Sequence, residues 1–146
     1  MHKQRLILNI PEFFNPVVLF SITLFAINNI WLKSYYGNWL TGKISDITFC
    51  FFFPLYLSAL ASLVFKFDLK TRIRIGALIT FFLFSAVKLS TSSSDLLNGI
   101  VSPVSEYLFN GDSINRVDPN DLIALPFIII AMWFGNRYYT YKGDSQ

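Results

Sequence analysis

Residues 41–54 read Thr41-Gly42-Lys43-Ile44-Ser45-Asp46-Ile47-Thr48-Phe49-Cys50-Phe51-Phe52-Phe53-Pro54. A lysine and an aspartate three residues apart run straight into a stretch apolar enough to cross a bilayer. Charges at the mouth of such a helix are costly unless they are paired inside a bundle. The rest of the chain must therefore answer Lys43 and Asp46. A second acidic pair, Asp118 and Asp121, opens the last apolar run and reads as that answer.

Composition agrees with a membrane setting. Of 146 residues, 53% are hydrophobic and 14% charged, against roughly 25% charged in soluble chains. Sixteen phenylalanines exceed what a small soluble core can hide. The length predicts a single domain, residues 1–146. A net charge of +3, dispersed and without basic-aromatic interleaving on a polar face, argues against nucleic-acid binding. Cys50 is alone and inside an apolar run, so no disulfide framework is available. The only histidine, His2, lies at the start of the chain. These counts exclude a His/Cys zinc site and a histidine-based triad, and no cofactor is expected.

Outward from the opening stretch, the apolar runs predict an all-α integral membrane bundle of four transmembrane helices. The first covers about 15–33, with Asn15 as N-cap and Pro16 at the first helical position. At 1.5 Å per residue it spans roughly 27 Å, just enough to cross. The basic start resembles a signal peptide, but no small-x-small site follows, so an uncleaved helix is expected. Trp31, Tyr35, Tyr36 and Trp39 form an aromatic belt, and Gly37-Asn38 with Gly42 predict a turn. The second helix is expected at 44–65 with a kink at Pro54. A basic loop from Lys66 to Arg74 leads to a third helix at 75–90, which ends near Lys88. The long connection opens with Ser92, Ser93 and Ser94 as cap candidates. Leu96, Leu97, Ile100, Val101, Val104 and Leu108 recur there at helical spacing. A short amphipathic or re-entrant helix between helices three and four follows, despite Gly99 and Pro103. Asn110-Gly111-Asp112 reads as a turn. The fourth helix is expected at 121–138, entered through Asp118-Pro119, with Pro126 in its second turn and Trp133, Tyr138, Tyr139 and Tyr141 as the opposite belt.

Four spans put both termini on one side. That side collects Lys3, Arg5, Lys66, Lys70, Arg72, Arg74, Arg137 and Lys142, against Lys33, Lys43, Lys88 and Arg116 opposite. The positive-inside rule predicts cytoplasmic termini in a bacterial inner membrane. Asp46, Asp95, Glu106, Asp112, Asp118 and Asp121 then face outward.

One polar constellation results at the outer end: Asn28 and Asn29 from helix one, Lys43 and Asp46 from helix two, Lys88 from helix three, and Arg116, Asp118 and Asp121 around the start of helix four. Residues three apart share a helix face, which predicts that Lys43 stacks with Asp46 and Asp118 with Asp121. Each residue also has a plainer role. Asp118 suits an N-cap, with Pro119 at N1 and Asp121 completing a capping-box-like arrangement. Asp46 complements a helix dipole, Lys88 snorkels, and Asn28 and Asn29 bond between helices. The phenylalanines at 51–53 read as lipid contact and core. In the sharper reading, Asp46 and Asp121 form a carboxylate dyad with separated proton affinities.

Two segments resemble a family of small bacterial membrane proteins of unknown function. Trp39-Leu40-Thr41-Gly42-Lys43-Ile44-Ser45-Asp46, with Phe51-Phe52-Phe53-Pro54-Leu55 after it, is similar to that family's W-L-T-G-K-L-S-D-F and F-F-P-L. The segment Arg116-Val117-Asp118-Pro119-Asn120-Asp121-Leu122-Ile123-Ala124-Leu125-Pro126 is similar to its R-V-x-D-P-T-D-L-L-A-L-P. Asn28-Asn29 stands where the family often has Asn-Asp. The resemblance covers just under a fifth of the chain and implies no activity. VanZ-like proteins are a looser likeness: Arg116, Asp118 and Asp121 fit their Arg-x-x-Asp-x-x-Asp opening only with shifted spacing, and their histidine is absent. The layout of helices and acids also resembles lipoprotein signal peptidase, without its asparagine-containing motifs. The leading expectation is an envelope protein whose outward ion-pair site binds a lipid head group or a partner protein. The alternative is an aspartate-dependent enzyme acting on a lipid-linked or membrane-peptide substrate through Asp46 and Asp121. A small-solute or proton pathway comes third, because the lower halves of the helices carry almost no polar groups.

Overall fold

The computed structural model describes residues 14–109 and 117–143. Among these residues every regular element is helical. The chain runs through α1 (Pro16–Ile27), a π-helical segment (Asn28–Leu32), α2 (Lys33–Tyr36), α3 (Trp39–Val64), α4 (Leu69–Leu89), α5 (Thr91–Phe109), a 3₁₀ segment (Pro119–Ala124) and α6 (Pro126–Gly143).

Caps explain where these elements begin, and several boundaries differ from the sequence reading. Asn15 Oδ1 accepts from the Val17 amide at 2.8 Å, with Pro16 as first helical residue. The helix then runs past 33 to Tyr36, because a π-turn absorbs an extra residue without breaking it. The chain breaks at Gly37–Asn38 as expected, but the turn does not extend to Gly42. Asn38 Oδ1 accepts from the Thr41 amide at 3.1 Å, which starts α3 at Trp39 and places Gly42 inside it. The basic loop is likewise shorter than expected. Asp68 caps Thr71 N at 3.1 Å, so α4 starts at Leu69 and carries Lys70, Arg72 and Arg74. Hydrogen bonds from the Thr71 side chain and backbone hold the exposed Asp68 carboxyl below its ordinary value. Arg72 Nη1 reaches back to the Ser58 carbonyl at 3.2 Å.

The connection after α4 turns through 107° at Ser90, and α5 continues unbroken from Thr91 past Gly99 and Pro103 to Phe109. It is longer than the short helix expected. Ser90 Oγ stands 3.5 Å from Ser93 N in the capping position, while Ser92–Ser94 occupy the first turn. The expected turn at Asn110–Asp112 lies outside the described residues. Asp118 caps as expected, accepting from Asn120 N at 2.9 Å. The segment it starts is a 3₁₀ helix, and Pro126 begins α6 instead of sitting in the second turn of a continuous α-helix. A proline ring crowds the carbonyl four residues earlier, so the chain tightens before it and restarts at it. α6 extends past 138 to Gly143.

α3 is the central helix and packs against α1, α4 and α6. One cluster joins Val18, Phe52, Leu55, Ile73 and Ala131; another joins Cys50, Ala77, Phe84, Ala124 and Ile128. Small residues set the closeness. A Cβ on Gly76 would overlap the Pro54 carbonyl oxygen, so α4 comes closest to α3 beside that proline. A Cβ on Gly135 would stand 2.8 Å from Leu55 Cδ2 and 2.9 Å from Ile73 Cδ1. Van der Waals packing of this kind drives helix association where lipid removes the hydrophobic incentive.

The polarity of the molecule is inverted relative to a water-soluble bundle. Lys43 and Lys88 are 6% exposed, whereas Phe20 is 67%, Phe82 66% and Ile129 68% exposed. By length and composition α3 and Pro119–Tyr138 can each cross a membrane, and α4 with Thr91–Ile100 makes a third, bent candidate. Pro16–Leu32 is apolar but shorter. The structure thus shows two to three membrane-length helices where four were expected. α1 is brief, and α4 carries charge at both ends.

Replacing Gly76 by Ala is expected to lower stability in detergent by about 1–3 kcal/mol, the usual range for overpacking. Gly99→Ala, which meets nothing within 4 Å, should be neutral or stabilising by up to about 1 kcal/mol. Thermal melts of the two variants beside wild type check the contrast.

Candidate functional site

The site forms where the start of α3, the end of α4 and the 3₁₀ segment meet. Lys43 Nζ lies 2.5 Å from Asp121 Oδ1, and Lys88 Nζ lies 2.7 Å from Asp121 Oδ2 and 3.1 Å from Asp46 Oδ1. Asp121 therefore accepts from two lysines, one on each oxygen, and Lys88 joins both carboxylates. Charge-assisted bonds of this length are strong, and mutual pairing is what allows four charges to leave water. Lys43 also stands 5.8 Å from the centre of the Trp39 ring, and Lys88 5.6 Å from that of Phe84.

The expected intrahelical pairing is corrected. Lys43 crosses to Asp121 instead of stacking with Asp46, and Asp46 pairs with Lys88 on α4. Asp118 and Asp121 also part company. Asp118 turns to its own backbone at Asn120, while the buried Asp121 points into the bundle and does not close a capping box. Its three-residue offset on a 3₁₀ turn leaves its amide bonded to the Asp118 carbonyl at 3.0 Å, which frees the side chain for the lysines. Arg116 lies outside the described residues.

Asn28 and Asn29 hold the wall opposite. Asn28 is fully buried and donates from Nδ2 to the Thr41 carbonyl at 2.7 Å. Asn29 Nδ2 donates to Ser45 Oγ at 3.0 Å and to the Phe25 carbonyl at 2.8 Å, and Ser45 Oγ stands 3.2 Å from Asn29 Oδ1. The π-turn explains how two consecutive residues both reach α3. Its wider winding reduces the rotation between neighbours. These bonds fasten α1 to the first two turns of α3, the turns that carry Lys43 and Asp46.

Beside the ion pairs opens a cleft of about 800 Å³ between α1, α3, α4 and α5. One end is polar, with Lys33, Asp46, Lys88, Asp118 and Asp121; the other is walled by Phe25, Phe49, Phe53, Leu83 and Phe84. Leu97 and Asn98 of α5 contribute to the lining. Phe49 and Phe53 stack at 4.5 Å between ring centres. The phenylalanine run packs on the core as expected, Phe52 within it and Phe51 and Phe53 against it, and Phe53 in addition lines the cleft. Sequence reasoning also missed Lys33, Ser45 and Asn98 as site residues. Lys33 carried a signal, since it follows the last apolar turn of the first helix directly. Among the described residues no three His, Cys, Asp or Glu side chains gather as a metal site.

Fold and site together define a helical protein with membrane-length helices and a buried ion-pair cluster beside an amphipathic cleft. Compared with protein-family models, curated proteins and solved structures, the chain finds no match.

Breaking the cluster should reveal its wiring. Asp121→Asn is expected to cost about 3–5 kcal/mol, because it deprives two buried lysines of their partner. Double-mutant cycles in detergent should give a coupling above about 0.5 kcal/mol for Lys43 with Asp121 and a smaller one for Lys43 with Asp46.

Proposed function

We propose that the chain is a four-span protein of a bacterial inner membrane whose outward end binds the head group of a membrane amphiphile. The cleft carries this reading: it joins charged groups at one end to a phenylalanine wall at the other within one continuous space. A head group needs the first and an acyl chain the second. Pockets that fix a few polar groups within an apolar lining are the usual form of small-molecule sites.

The helix dimensions support this placement. α3, 26 residues long, extends about 39 Å at 1.5 Å per residue, more than the roughly 30 Å hydrocarbon core. Its first turns, with Lys43 and Asp46, thus reach the head-group layer. Pro16–Leu32 serves as the fourth span, lengthened by α2. α4 crosses with its terminal lysines and arginines snorkelling, and α5 lies along the surface with Leu96 and Ile100 exposed. Lys66, Lys70, Arg72, Arg74 and Arg137 collect at the end opposite the cleft, which makes that end cytoplasmic. The likeness to small bacterial membrane proteins through the Trp39–Asp46 and Arg116–Pro126 motifs points to the same setting.

A second reading, an aspartate-dependent enzyme acting on a lipid-linked or membrane-peptide substrate, draws on one observation: Asp46 and Asp121 both line the cleft and share Lys88. Against it, Asp121 is held by a lysine on each oxygen and Asp46 by Lys88 on one, so the ion pairs of both carboxylates go to lysines, whereas an acid–base dyad requires the two to pair with each other. Binding is the better account.

Native mass spectrometry of the protein extracted from bacterial membranes is expected to show a retained lipid of unaltered mass. Leu83→Trp, which fills the apolar end from a partly exposed position, should reduce that retention several-fold without lowering the melting temperature. Recovery of a cleaved product would favour the enzyme, and a retained polypeptide an envelope partner. Reporter fusions at the two ends of the chain are both expected to score as cytoplasmic; opposite sides would contradict four spans.

A further inference from the structure

We infer that the amphiphile seated in this cleft carries a zwitterionic head group, a phosphate joined to a primary ammonium as in phosphoethanolamine. The inference rests on the binding reading above and names its ligand class.

The first observation is charge balance. Among the described residues, the cleft and its ion pairs bring together Lys33, Lys43 and Lys88 with Asp46, Asp118 and Asp121. Three cations meet three anions, so the described side chains of the site sum to no formal charge. A head group of net charge would leave one charge uncompensated in a partly dehydrated space. A zwitterion brings its own compensation.

The second observation is which charges are already committed. Lys43, Lys88, Asp46 and Asp121 are spent on one another. Lys33 forms no ion pair with a described residue; it stands accessible after the last apolar turn of the first helix, within the electrostatic reach of Asp46, Lys88 and Asp121. Asp118 uses Oδ1 to cap Asn120 and likewise forms no ion pair with a described residue. Among the described residues the cleft thus presents one cation and one carboxylate outside the ion pairs, from different elements, at its polar end. Lys33 meets the phosphate and Asp118 the ammonium.

The third observation bears on the kind of cation. A quaternary ammonium is recognised through an open aromatic face. Two of the rings that line the cleft, Trp39 and Phe84, have the ammonium groups of Lys43 and Lys88 at 5.8 and 5.6 Å from their centres. The Asp118 carboxylate suits a cation that donates N–H bonds.

The test titrates the purified protein in detergent with phosphatidylethanolamine, phosphatidylglycerol and phosphatidylcholine of one acyl composition, read by native mass spectrometry and thermal shift. Phosphatidylethanolamine is expected to bind tightest, by on the order of tenfold over phosphatidylglycerol, with phosphatidylcholine weaker than phosphatidylethanolamine. Asp118→Asn keeps an amide oxygen for the cap, since Asn ranks with Asp at that position, and should erase the preference while the protein stays folded. Lys33→Gln should weaken both phosphatidylethanolamine and phosphatidylglycerol. Phosphatidylglycerol binding as tightly as phosphatidylethanolamine, or a preference unmoved by Asp118→Asn, overturns the zwitterion while leaving lipid binding intact. Failure of all three lipids to bind overturns the binding reading itself.

Discussion

The carboxylate of Asp121, held by Lys43 on one oxygen and Lys88 on the other, is the contact on which this end of the molecule depends. It ties the start of α3, the end of α4 and the entry to α6 at one point. Each lysine is buried, 6% exposed, and is paired with carboxylates of the bundle. Ion pairs in such places are poor sources of net stability, because desolvation cancels most of the Coulomb gain. Their value is in register. Sliding α4 by one turn against α3, or rotating the 3₁₀ segment, would strand a charge. Among apolar helices, whose packing tolerates many alternatives, that penalty selects one arrangement.

The second constraint is geometric and lies deeper in the bundle. The backbone of α3 at Pro54 is approached very closely by α4, which only the missing side chain of Gly76 permits. Gly135 does the same for α6 against Leu55 and Ile73. Close approach below and charge pairing above hold the helices at two levels. Between these levels, on the α1 side, phenylalanines of α1, α3 and α4 leave space unfilled, and the cleft follows from that mismatch of shapes. The asparagines of the π-turn keep α1 against α3 only at the top.

Much of this was legible in the residues themselves. Long apolar runs, proline and glycine positions, aromatic belts and the bias of basic residues are local or compositional signals. They depend on periodicity and transfer energy, which act on any such segment wherever it sits. Asn15, Asp118 and Pro16 were readable as caps for the same reason. The boundaries that slipped were those where one side chain decided the matter: Asn38 and Asp68 start their helices earlier because each captures an amide three residues on. The π-turn had no sequence mark beyond a pair of asparagines, since its stability comes from Ser45 and Thr41 on another helix.

The sequence by itself determined that this chain is helical, that its exterior is apolar, and that its ionisable residues near the apolar runs gather toward one end. Each of those follows from residue chemistry along the chain. Only the tertiary structure decided which charge meets which. Lys43 lies three residues from Asp46 yet pairs with Asp121, 78 positions away, because helix neighbours share a face without necessarily pointing at one another. The same structure placed Phe53 on the cleft wall as well as against the core, and drew Lys33 into the site. Pairing and cavities depend on where separate helices cross, and the distances at those crossings are set by side-chain shapes from several segments at once.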